Sequence, residues 1–78
     1  MVMVEVICFG PLAEKVGWRS KTINISPPIS PSEIAEQLGL QLWVSHGLTY
    51  HIDGKMVTAD EQIVADCELA LLPPVSGG

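Results

Sequence analysis

Seventy-eight residues, 47% apolar and 17% charged, describe one small globular domain rather than a disordered chain. Nine Asp and Glu against four Lys and Arg give a net charge of −5, and Lys15, Arg19, Lys21 and Lys55 form no run, which argues against a nucleic-acid binder that tracks phosphates. Two cysteines without a Cys-x-x-Cys pair exclude a disulfide framework or zinc module, and neither a membrane-length apolar run nor a signal-peptide pattern is present, so a reducing cytoplasm is the expected setting.

Val2 to Phe9 reads as the first strand. Val2, Val4, Val6 and Cys8 share one face; Met3, Glu5, Ile7 and Phe9 share the other. Both faces are largely apolar, so this strand is either covered on both sides or meets another protein on its second face. Gly10-Pro11 breaks it. Leu12, Lys15 and Val16 then recur at helical spacing, which predicts a short helix over 11–17 closed by Gly17. Lys21 to Ser26 alternates as a second, half-buried strand with Ile23 and Ile25 inward.

Pro27-Pro28 makes a stiff link. Ser30-Pro31-Ser32-Glu33 is a helix start: Ser30 caps, Pro31 suits the first helical position, and Glu33 reaches back in a capping box. Ile34, Ala35 and Leu38 give that helix an apolar face, and Gly39 ends it. Gln41 to Gly47 is too short to classify. Leu48, Tyr50 and Ile52 alternate as a strand. Asp53-Gly54 is a two-residue hairpin turn, and Lys55 to Thr58 returns as a short edge strand. Asp60 to Asp66 is a loop anchored by Ile63. Glu68 to Leu72 is the last strand.

A hairpin, a crossover helix and a final strand parallel to the first predict an α+β fold, a mixed sheet with one main helix packed across it. In so small a chain the natural solution is the ubiquitin-like β-grasp, with the last strand central beside the first. The domain then spans 1–72, and 73–78 is a flexible tail. Pro73 and Pro74 have no N–H to donate and end the ladder, while Gly77 and Gly78 are the least bulky residues available. The expectation is a slender arm ending in a carboxylate that threads into another protein's active site.

On these residues the chain resembles the ubiquitin-like sulfur carriers, and among them the small subunit of molybdopterin synthase. The features that carry the resemblance are Phe9-Gly10 after the first strand, Glu14 and Gly17, the Ser30–Leu38 helix, Asp53-Gly54, and above all Leu72-Pro73-Pro74-Val75-Ser76-Gly77-Gly78. Three positions depart from the family pattern. Ala13-Glu14-Lys15 keeps only the acid of an Arg-Glu pair, Ala65-Asp66-Cys67-Glu68 lacks a turn glycine, and Leu72 replaces an aromatic residue.

The resemblance implies a role for each part of the tail. Gly78 would be adenylated by a ubiquitin-activating-type enzyme that uses ATP, then loaded as a thiocarboxylate with sulfur from a donor protein. Gly77 would give passage. Phe9, Leu72, Pro73, Pro74, Val75 and Ser76 would face the large subunit of the synthase, in a heterotetramer, where a cyclic pyranopterin precursor receives the sulfur. The chain itself would bind no cofactor and no metal and would not catalyse alone. A mature Gly-Gly end equally serves a carrier for another pathway, such as thiazole or thiolated tRNA, or a modifier conjugated to lysines. Of the remaining residues, Cys8 reads as a buried small hydrophobe and Cys67 as an unreactive thiol. His46 and His51 alone make no metal site, and Trp18 and Trp43 read as packing residues.

Overall fold

The computed structural model describes residues 1–74. β1 (Val2–Cys8) buries Val2, Val4, Val6 and Cys8 and turns Met3 and Glu5 outward, as period-two alternation requires. α1 (Pro11–Val16) follows, and its Leu12 drops into the core. Gly17 closes it in the left-handed region, its N–H donating to the Ala13 carbonyl at 2.9 Å. β2 (Ser20–Ile25) runs back antiparallel to β1, with Val4 opposite Ile23.

α2 (Pro31–Gln37) begins with the expected capping box. The Ser30 N–H donates to Glu33 Oε1 at 3.0 Å, and the Glu33 N–H donates to Ser30 Oγ at 3.3 Å. Its end is a Schellman motif: Leu40 N–H reaches the Ala35 carbonyl, and Gly39 N–H, at φ +84°, reaches that of Glu36. Leu40, fully buried, supplies the apolar contact that accompanies this motif. The stretch that the sequence left unclassified is a third helix, α3 (Gln41–His46). It buries no residue completely; Trp43 and Val44 are half-buried and Leu42 is exposed.

β3 (Thr49–Ile52) and β4 (Lys55–Val57) form the hairpin over Asp53-Gly54, both turn residues having positive φ. Ile63 is buried and pairs with Ile29 in an isolated bridge, so the 58–66 loop is anchored where expected. β5 (Cys67–Leu72) closes the sheet in the order β2-β1-β5-β3-β4. It is parallel to β1 and antiparallel to β3. Two side chains hold its entry. Asp66 Oδ1 accepts the Met3 N–H, and Asp53 Oδ1 accepts the Glu68 N–H, each at 2.9 Å.

The core lies between one face of this sheet and the helices, where Val4, Val6, Leu69 and Leu71 meet Leu12, Ile34 and Leu40. The other sheet face carries no element of the described residues. β1 is therefore covered on one side only, which overturns the reading that both its faces are buried within the domain. Among the described residues no helix is long and apolar enough to cross a membrane.

Candidate functional site

The chain leaves the sheet from its centre. Leu71 and Leu72 sit between β1 and β3: Leu71 pairs with Cys8 and Tyr50, and Leu72 with Thr49. The Phe9 N–H donates to the Leu71 carbonyl at 3.2 Å, and the Cys8 N–H to that of Arg19 at 2.8 Å. The root of the tail is thus tied to the end of β1. Pro73 follows, with its Cγ 3.7 Å from where a side chain on Gly10 would begin. Gly10 has φ +57° and ψ −132°, a combination that residues with a side chain avoid, and it lets the chain turn under Pro73 into α1.

Phe9 is 46% exposed, and Leu72, Pro73 and Pro74 are half-buried. Parallel register places Phe9 next to Leu72 on the open face, because Cys8 and Leu71 are paired on the other. The structure therefore brings together four of the eight residues singled out from sequence. The other four, Val75, Ser76, Gly77 and Gly78, lie outside the described residues.

The same face holds apolar residues that the sequence reading did not assign to a site. A row runs Ile7, Ala70, His51, Met56 across four strands, each pair in register. Met3 and Met56 are 51% and 72% exposed. Flexible, polarizable methionines suit a surface that must adapt to a partner. The period-two pattern of β1 already placed Met3 on the same face as Phe9; Met56 needed the hairpin register. Two exposed carboxylates, Glu5 and Glu68, are register partners on this face, and Ser20 Oγ donates to Glu5 Oε2 at 3.2 Å.

Neither thiol is poised to act. Cys8 is fully buried, and that burial pushes its thiol up. Cys67 is half-buried; burial first, then the carboxylates of Asp53 and Asp66, push it up as well. A thiol held protonated is a poor nucleophile at neutral pH. Among the described residues no three His, Cys, Asp or Glu side chains gather as a metal site.

No curated protein matches the chain. Several solved structures share its architecture. Small archaeal modifier protein 1 of H. volcanii superposes with a TM-score of 0.76 at 23% identity, over 96% of this chain and 100% of that one. The Haloferax volcanii HVO 2177 protein gives 0.83 at 17% identity, over 99% and 87%. A chain from the complex of subunits 1 and 2 of the molybdopterin-converting factor of Helicobacter pylori gives 0.63 at 24% identity, over 99% and 100%. At these identities the likeness establishes the ubiquitin-like β-grasp fold. A family model matches residues 6–78, from the middle of β1 through both glycines, and the chain belongs to the ThiS family.

Proposed function

We propose that the chain is a sulfur carrier whose reactive atom is the carboxylate carbon of Gly78, and that it serves as the small subunit of a molybdopterin synthase. The observation that carries this reading is the ThiS family match, which extends through the Gly-Gly pair. The geometry behind the tail is in keeping with it: a central strand delivers Pro73 and Pro74 outward beside Phe9.

A carboxylate is ionised at pH 7 and is a poor electrophile, since oxide would have to leave. Adenylation by an activating partner solves this. The carboxylate oxygen attacks the α-phosphorus of ATP, pyrophosphate departs, and the acyl carbon now carries AMP as a leaving group. Sulfide-level sulfur then displaces AMP and leaves a thiocarboxylate; if the donor protein presents it as a persulfide, the acyl disulfide first formed is cleaved by a thiol reductant, which takes the donor's sulfur into a disulfide. The loaded tail enters the large subunit, its sulfur bonds to a cyclic pyranopterin precursor, and water then cleaves the acyl–sulfur bond, which leaves sulfur on the precursor and a carboxylate on Gly78. The open sheet face, with Phe9, Leu72 and Pro73 to Ser76, docks the carrier while Gly77 gives the last bonds passage. Every catalytic group belongs to a partner; ATP is the activating enzyme's substrate, and the carrier holds no cofactor.

A second reading has its own support. The likeness to small archaeal modifier protein 1 favours a ubiquitin-like modifier joined to lysines through the same glycine. A carrier for another sulfur-requiring product uses identical loading chemistry. Mass spectrometry separates the readings. Incubation with an activating enzyme, ATP and a sulfur donor yields the mass change of sulfur replacing oxygen if the chain is a carrier. Isopeptide-linked lysines in its place assign the modifier role. A loaded chain that fails to transfer sulfur with a synthase large subunit and precursor removes the molybdopterin assignment and leaves the carrier one.

A further inference from the structure

A groove of about 320 Å³ lies by Cys67, at the opposite end of β5 from Leu72. It runs between the edge strand β4 and the 58–66 loop. Val57, Ile63 and Val64 give it an apolar lining, and Val64 is 66% exposed although nothing in the function above uses it. Its rim carries Asp53, Glu61 and Asp66 against the single cation Lys55. Cys67, the first residue of β5, forms part of the wall. At a rise of roughly 3.3 Å per residue, the two ends of β5 are about 16 Å apart, so the groove stays open while the tail is engaged elsewhere.

The edge beside the groove is unpaired. The hairpin closes over two residues, and Ile52 and Lys55 are the closing pair. Antiparallel alternation then points the N–H and C=O of Met56 away from β3. An extended segment can bond there and lay alternate side chains into the groove. Three carboxylates around an apolar lining select the sign of those side chains.

We propose that this groove is a second docking site, for an extended segment of a partner protein that bears lysine or arginine side chains separated by apolar ones. It is independent of the sulfur-carrier reading, because the glycines take no part and the groove lies on the other side of β4 from the open sheet face; only the segment's outward side chains would lie near Met56. A carrier handed between proteins gains from such a site: a partner can hold it here without blocking the tail.

The test titrates the full chain with the blocked peptide Ac-Lys-Val-Arg-Val-Lys-NH2 while backbone amide signals are followed by NMR. Saturable shifts confined to residues 52–67 are expected, with none from the acidic counterpart Ac-Glu-Val-Glu-Val-Glu-NH2. The double variant Glu61→Lys, Val64→Asp alters only exposed side chains. It should keep the fold's spectrum and weaken binding by about tenfold or more. Lack of saturation at millimolar peptide overturns the proposal. So do shifts centred on the open sheet face, or equal binding of both peptides. Concentration-dependent shifts of 52–67 in the chain alone, with a rising sedimentation mass, would instead mark the groove as a contact between copies and also overturn it.

Discussion

Gly10 is the residue on which the root of the tail turns. Its φ of +57° with ψ −132° belongs to a region essentially reserved for glycine, and a side chain there would touch only Pro73, at an ordinary 3.7 Å. The penalty for Gly10→Ala is therefore backbone strain rather than collision, about 1–3 kcal/mol, readable as a lower urea midpoint. Gly77→Ala and Gly78→Ala belong to the opposite class. On the proposed function they should leave the melting temperature unchanged and reduce thiocarboxylate loading, because an added Cβ would narrow the fit in an activating enzyme's pocket. Full loading of both variants would sink that account. At Cys67 the charge contribution can be isolated. Asp66→Asn keeps an oxygen that can accept the Met3 N–H but removes one of the two carboxylates that push the thiol up. Alkylation of Cys67 at pH 7 should then speed up modestly, since burial, the larger cause, stays.

Among the elements, α2 shows how local physics makes a sequence readable. Ser30, Pro31 and Glu33 lie within four residues, so their capping geometry hardly depends on the rest of the chain, and the structure holds both reciprocal bonds. Ser30→Ala should cost about 1 kcal/mol, measured as a lowered denaturation midpoint, because it leaves the part-buried Glu33 N–H at the helix start without its acceptor. Gly39 and the Asp53-Gly54 turn were legible for the same reason. α3 was not: six residues give fewer than two turns, and Leu42, Trp43 and Val44 fit a strand edge as well as a helix. The aspartate that holds β5 by the Met3 N–H was also invisible, since its partner is 63 residues away. At the candidate site, Phe9 and Leu72 could be placed on a face by alternation alone, whereas Met56 joins them only through pairings among four strands.

For the whole molecule, the asymmetry between the two sheet faces separates stability from docking. Phe9→Asp and Met56→Asp change exposed side chains, so the melting temperature should hold while affinity for a synthase large subunit falls by about tenfold or more, measured by calorimetry. Stability has its own pH signature. Cys8, Cys67 and Tyr50 all have raised values through burial, aided at Tyr50 by the Glu36 carboxylate. Their contribution is complete below the unfolded thiol value of about 8.5 and is lost as pH rises through the higher folded values. Urea midpoints should therefore decline above roughly pH 8.5, and less steeply in Cys8→Ala. The central position of β5 has one more consequence, a mechanical one. A pull on Pro74 acts along β5, so the hydrogen bonds to β1 and to β3 are loaded in shear and share the force instead of opening one by one. An edge strand would peel from its single neighbour. Under the proposed function, the fold thus anchors Pro74 against a pull from a partner that takes in and releases the residues after it.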